Sequence, residues 1–279
     1  MRPYFTAMNT LPSFYVSHGS PMTALHPGLV GKRLAGIAAE LPRPKAVVIA
    51  TAHWLAHQPS VGGATQPETI HDFYGFPREL FEVQYPAPGA PEVAAQVMQL
   101  LDRAGLAPRL DPTHGLDHGA WVPLRLLYPH AEIPVVPLSI QPHLGPVHQY
   151  AVGRALAPLR EQGVLVIGSG SITHNLHDFR AGYSETNEAP YLRPFIGWIE
   201  QKIKAGDIDA LLDYRRQAPG AARAHPTDEH LLPLYVALGA AGEHVDGQRI
   251  DAGIELGFMA MDIYRFDSAS VDLTATAHR

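Results

Sequence analysis

SFYVSHGSP, residues 13 to 21, is the stretch whose reading decides the fold. A short apolar run delivers His18 to a break made by Gly19 and Pro21, the pattern of a buried strand ending in a reactive loop. Two later stretches repeat it: AVVIATAH from Ala46 to His53, and VLVIGSGSITHN from Val164 to Asn175, each a Val/Ile-rich run followed by small residues and a histidine. Runs that are apolar throughout suit strands covered on both faces. Ligands of open α/β sheets gather outside the carboxyl ends of the strands, so the repetition predicts that His18, His53 and His174 converge there.

Helical patterns alternate with these strands. Leu34, Ile37, Ala38 and Leu41 share a face in a helix predicted over 26–41, and Val93, Val97, Leu100, Leu101 and Ala104 do so in one that opens at Pro91 and closes at Gly105. A further helix is expected over 150–161, with strands near 60–63, 107–110 and 133–140. Beyond His174 the pattern is mostly helical, over 191–205, 207–214 and 228–240, and ELGFMAMDIYRF (255–266) reads as one final long strand. This alternation predicts an α/β fold, a central mostly parallel sheet with helices on both faces. The expected organisation is a single catalytic domain over 1–266 and a polar tail over 267–279.

Composition narrows the chemistry. With 46% hydrophobic and 17% charged residues the 279-residue chain is globular, and a net charge of -6 offers no basic footprint for nucleic acid or an anionic membrane. Small molecules are the expected partners. There is no cysteine, so any metal must be held by imidazole, carboxylate or water. Neither a signal peptide nor an apolar span of about 18 residues is visible, and the expected location is the cytoplasm.

The chain carries 16 histidines. Neutral imidazole is the commonest protein metal ligand, which makes His18, His53 and His174 candidate ligands. In AHPTDEHLLPL, His225 and His230 are five residues apart and cannot share a helical face, so at most one joins such a site. GLDHGAW sets His118 beside Asp117 in a Gly-flanked loop, a possible mobile acid/base pair, with His114 a weaker competitor. GSGSITHN lacks the GxGxxG and Walker lysine of phosphate loops and the last glycine of GxSxG. Its glycines are expected to let backbone pass close to a ligand. The long irregular stretch 64–90 contains IHDFYGFP (70–77), whose His71, Phe73 and Tyr74 suit an aromatic ligand and whose length suits a wall or lid.

Taken in order, SHGSP, TAHW, IHDFYGFP, GLDHGAW, GSGSITHN and HPTDEHLLPL resemble the class III extradiol ring-cleaving dioxygenase superfamily, in its DOPA 4,5-dioxygenase-like branch, from Leu11 to about Ile263. The resemblance implies a non-haem metal enzyme that inserts O2 into a catechol, in aromatic-compound catabolism. His18, His53 and His230 match metal-binding positions of that family. His174 matches a position that serves either as a further metal ligand or as the acid/base, and His118 matches the histidine of the family's DHG motif, a second proton-transfer candidate. The better-studied relatives hold Fe(II) with two histidines and a glutamate, whereas the third position here is His230. The expected cofactor is therefore Fe(II) for activity, with Zn(II) suited to the isolated protein. Partners would be a catechol and O2, and a monomer and a homo-oligomer are both open. The competing readings are a zinc-dependent hydrolase and a non-enzymatic binding module on the same fold.

Overall fold

A computed structural model describes residues 10–243 and 245–268. Its strands are β1 (Ser13–Ser17), β2 (Ala46–Leu55), β3 (Ser60–Gly62), β4 (Arg109–Asp111), β5 (Val135–Ile140), β6 (Val164–Gly170), β7 (Val245–Ile250), β8 (Ile254–Glu255), β9 (Met259–Ala260) and β10 (Ile263–Ser268). The helices are α1 (Gly28–Glu40), α2 (Arg78–Glu82), α3 (Pro91–Arg103), α4 (His118–Leu127), α5 (Gly145–Glu161), α6 (Leu192–Ala205), α7 (Ile208–Leu212), α8 (Tyr214–Gln217), α9 (Ala221–Ala224) and α10 (Leu232–Ala240). Eight strands form one sheet in the order β4-β3-β5-β2-β6-β1-β10-β7, and β8 pairs with β9 apart from it. The middle run β5, β2, β6 and β1 is parallel, while β10 and β7 add antiparallel strands at one end.

The sheet is buried on both faces because its strands alternate between two cores. Val48 and Ala50 of β2, Tyr15 of β1 and Leu138 of β5 enter one, under α3, α5, α6 and α10. Val47 and Ile49 of β2, Phe14 and Val16 of β1 and Leu165 and Ile167 of β6 enter the other, under α1 and α4. β6 lies between β1 and β2, so the carboxyl ends of all three strands open on one crevice.

Several elements differ from the sequence expectation. β2 continues through His53 to Leu55, with an irregular register against β5 between Ala50 and Leu55, so His53 belongs to a distorted strand end. The long C-terminal strand is three, divided by a turn in which Gly257 has φ +72°. β7, a polar edge strand paired with β10, was not expected at all. α10 starts at Leu232, leaving His230 in the turn before it. GLDHGAW is no loop: His118 opens α4, with the Asp117 side chain accepting from the Ala120 N–H at 3.1 Å. β10 reaches Ser268, and the rest of the expected tail, 269–279, lies outside the described residues.

Candidate metal centre

His18 follows β1, His53 ends β2, and His230 is carried over β6 by the turn before α10. That last approach requires glycine. A Cβ at Gly170 would stand 2.0 Å from the His230 carbonyl oxygen, and one at Gly168 would stand 2.0 Å from that of Pro233. The glycines of GSGS thus admit the chain's own backbone rather than a ligand. Ser171 N–H and the Tyr15 hydroxyl then bond the His230 carbonyl, at 3.0 and 2.9 Å.

The ring centroids of His18, His53 and His230 lie 5.0 to 5.6 Å apart. Two more imidazoles adjoin them. His118 is 3.9 Å from His53, and His174 stacks on His230 at 3.4 Å with an interplanar angle of 10°. The cluster therefore contains the sequence-expected His18, His53, His118, His174 and His230. His225 is elsewhere: wholly buried, it donates from Nε2 to the Ile172 carbonyl at 2.8 Å and packs against Phe195.

The hydrogen bonds decide which ring nitrogens are free. Pro123, inside α4, has no N–H to offer the Gly119 carbonyl. Ser169 fills that place, donating its hydroxyl to the Gly119 oxygen at 2.5 Å. With its one proton committed, Ser169 Oγ can only accept at 3.0 Å from His18 Nδ1, which must then carry hydrogen. His230 Nδ1 likewise donates to Glu229 Oε1 at 3.0 Å, and His53 Nδ1 faces Asp72 Oδ2 at 3.5 Å. Each Nε2 is left as a lone pair, and those of His18 and His53 face each other at 3.1 Å. Two nitrogens each about 2.1 Å from one ion would stand about 3.0 Å apart at a right angle and about 3.4 Å at the tetrahedral angle. The donor set fits a divalent cation.

Burial keeps these rings neutral. It holds His18 and His230 well below the usual imidazole range, with the neighbouring imidazoles adding to the effect, and pushes His53 to about 3 and His174 to about 4. Asp72 behaves oppositely: burial alone would raise it, but hydrogen bonds from the His118 ring and backbone outweigh burial and keep it lowered. Asp117 is more deeply buried, and although the Thr51 hydroxyl and the Ala120 N–H donate to it, burial pushes it up to about 6.

Asp72 is the residue that sequence reasoning undervalued. It accepts from His118 Nδ1 and from the His118 N–H, both at 2.9 Å, so it, and not Asp117, orients that ring. Asp117 instead caps α4 and receives the Thr51 hydroxyl at 2.7 Å. Its neighbours fasten the same loop: Trp121 Nε1 donates to the Ile70 carbonyl at 3.0 Å, His71 Nε2 donates to the Val83 carbonyl at 2.9 Å, and Phe73 packs edge-on to His118 at 5.8 Å. These contacts fasten Ile70, His71 and Phe73 to α4 and to Val83, while Tyr74 stands 92% exposed. The cue available in the sequence was an aspartate flanked by aromatics in a long loop.

Two predictions arise here. Ser169→Ala is expected to weaken metal binding by about 10- to 100-fold, the usual cost of losing a group that orients a ligand, because His18 is then free to switch tautomer. Competition with a chromophoric chelator measures it, and unchanged affinity would contradict the relay. The second concerns acid stability. An unfolded histidine binds a proton near pH 6.5, whereas burial holds folded His225 down to about 3. Between those values the unfolded chain binds more protons, so stability falls as pH falls, by up to about 1.4 kcal/mol per pH unit per such group. With His18, His53, His174 and His230 shifted the same way, the metal-free protein should show a constant urea midpoint above pH 7 and a steep decline below about pH 6.5. An equal midpoint at pH 7 and 5 would contradict the assignment.

An α/β sheet whose strand ends and adjoining turn deliver neutral imidazoles to one point, each with its Nδ1 turned to a hydroxyl or a carboxylate, defines a protein with a histidine metal centre. A family model described as the catalytic LigB subunit of aromatic ring-opening dioxygenase matches residues 13–254. The chain is 41% identical over 264 residues to a protein named 4,5-DOPA dioxygenase extradiol from Beta vulgaris, covering 93% of this chain and 98% of that one. It is 35% identical over 259 residues to a protein of the same name from Escherichia coli K12, covering 90% and 93%. The crystal structure of an uncharacterized E. coli K12 protein superposes with a TM-score of 0.75 at 30% identity, over 91% of this chain and 99% of the other. The chain belongs to the LigB family of aromatic ring-opening dioxygenases. It is a metal-dependent, non-haem extradiol enzyme whose partners are a small aromatic substrate and O2.

Proposed function

We propose that the chain opens the ring of a catechol of the kind its 4,5-DOPA-cleaving relatives are named for, using Fe(II) held by His18, His53 and His230. The observation that carries this is the meeting of the His18 and His53 Nε2 atoms at 3.1 Å, their Nδ1 atoms turned to acceptors. Fe(II) bound there would supply open coordination positions that bring catechol and O2 together.

The remaining groups handle protons and shape. His118 gives Nδ1–H to the ionised Asp72, which leaves Nε2 to take a phenolic proton. His174 is the second acid/base group rather than a fourth ligand. An imidazole lone pair lies in the ring plane, and the His174 plane runs nearly parallel to that of His230 and is displaced from it by stacking at 3.4 Å. One ion cannot lie in both planes. Phe73, beside His118, is assigned to contact with the substrate ring, His71 to holding its loop, and Tyr74 to the rim. The reading carries a cytoplasmic location and a role in aromatic catabolism. No described helix is long and apolar enough to cross a membrane.

An all-imidazole set also suits Zn(II), which outcompetes Fe(II) at nitrogen ligands, so Zn(II) is expected in protein isolated without added iron. The test is anaerobic Fe(II) reconstitution, then a catechol panel with oxygen uptake and the yellow ring-opened product followed together. Iron-dependent, catechol-dependent uptake is the expected result. Zinc-dependent ester hydrolysis without uptake would overturn the proposal in favour of a hydrolase.

A further inference from the structure

His118 and His174, the two proton-transfer groups assigned above, are held in different ways. The His118 ring is fixed by its own hydrogen bond to Asp72. The His174 ring has no such partner among the described residues: its Nδ1 stands 4.0 Å from Glu229 Oε1, beyond hydrogen-bond range, and its face stacks on His230. Its aim is therefore set by the backbone that carries it.

That backbone is clamped along one side by Arg223, Ala224 and His225, at the end of α9. His225 Nε2 donates to the Ile172 carbonyl at 2.8 Å, the His174 N–H to the Ala224 carbonyl at 2.9 Å, and Asn175 Nδ2 to the Arg223 carbonyl at 2.8 Å. The two segments run in opposite directions, so the contacts follow one another along both. The Arg223 guanidinium then crosses back to the Asp178 carboxylate, whose other oxygen accepts the Tyr191 hydroxyl at 2.7 Å. Behind the clamp, Ala224 and His225 are wholly buried, and the His225 ring packs against Phe195 and Tyr214. On the far side of His174, the Thr173 hydroxyl donates to the Phe258 carbonyl at 2.8 Å and accepts from the Ala260 N–H of β9 at 2.9 Å.

Asp178 is the costly member of this arrangement. Its side chain is wholly buried while that of Arg223 is 53% exposed, and a carboxylate taken out of water is tolerated only when it is paired and hydrogen-bonded. What the buried charge secures is the spacing between the turn after His174 and the end of α9. We propose that Asp178 is a positioning residue for the reaction: by holding Arg223 it fixes the segment 172–175 so that the His174 imidazole stands where it exchanges a proton with the substrate. His225 grips the same segment at its other end. Asp178 itself touches neither substrate nor ion. The proposal rests on the reading of His174 as an acid/base group.

A double-mutant cycle on the Fe(II)-loaded protein tests it, with the fastest catechol of the panel above as substrate. Asp178→Asn should lower kcat by about 10²-fold, the cost of misplacing a catalytic group by about 1 Å, with KM and iron content unchanged. In His174→Ala the same substitution should cost nothing further, because no imidazole is left to aim, whereas a merely structural role would lower kcat by the same factor in both backgrounds. Arg223→Gln, made at a half-exposed side chain, should reproduce the loss without threatening the fold. Hydrogen exchange of the metal-free protein gives a readout apart from turnover: the His174 amide should lose protection in Asp178→Asn while the Trp121 amide in α4 keeps it. Equal factors in the two backgrounds, loss of iron in step with kcat, or an unchanged His174 amide would overturn the proposal. A slow His174→Ala beside Asp178→Asn and Arg223→Gln at the parental rate would sink the proposal alone. His174→Ala at the parental rate would sink the acid/base reading and the proposal with it.

Discussion

Replacing His118 with alanine is expected to slow turnover by about 10²- to 10⁴-fold, the range of a lost general acid/base, while the metal stays bound. The ring is held by Asp72 at 2.9 Å and its side chain is 8% exposed, so it is fixed in place at little further entropic cost when substrate arrives. It lies 3.9 Å from His53 but is not one of the three rings whose Nε2 atoms are assigned to the ion. Removing it therefore acts on the barrier rather than on the metal. His118→Gln keeps most of the volume and guards against a collapsed wall. Metal content by atomic absorption, beside initial rates on one catechol, gives the answer, and loss of metal in step with activity would contradict the role.

His18→Ala should do the reverse, lowering metal content and activity together. The loss of affinity should exceed the roughly 10- to 100-fold expected when only an orienting partner is removed, because a coordinating nitrogen itself is gone. His18 is 3% exposed and enclosed by the rings of His53, His118 and His230, so the substitution leaves a ring-sized space. Free imidazole should partly restore both metal and rate. Recovery of fold without recovery of metal would show that His18 serves the sheet and not the ion. Equal metal retention in His18→Ala and His118→Ala would contradict the division between them.

The part of this site that could be read from the sequence was the part carried by strands. β1 and β6 are buried along their whole length and β2 as far as Ala52, each around a run of apolar residues, and two of them point a histidine at the crevice within a residue or two of the last pairing. What escaped was set by contacts distant in sequence. α4 buries His118 to Leu124 and Leu127, so it has no polar face whose period could reveal it, and Gly119 and Pro123 disguise it further. Asp72 gained its meaning only when its loop met the start of that helix, 46 residues later. The same holds for Ser169, whose role depends on a carbonyl that Pro123 leaves free. The glycines beside Ser169 read as a close approach to a ligand, whereas what passes there is the chain's own backbone leading into α10, some 60 residues further on. Local pattern fixes strands and their ends; the orienting partners of a cluster belong to tertiary structure.

The most direct test of the account is where iron goes. Among the described residues the cluster offers three overlapping groups able to hold an ion: His18, His53 and His230; His53, Asp72 and His118; and His174, Glu229 and His230. Crystals of the protein loaded anaerobically with Fe(II), measured on both sides of the iron absorption edge, would show the ion as a single anomalous peak. That peak is expected about 2 Å from the Nε2 atoms of His18, His53 and His230, with His174 and His118 outside bonding distance. A peak bonded to Asp72 and His118, or to His174 and Glu229, would contradict it.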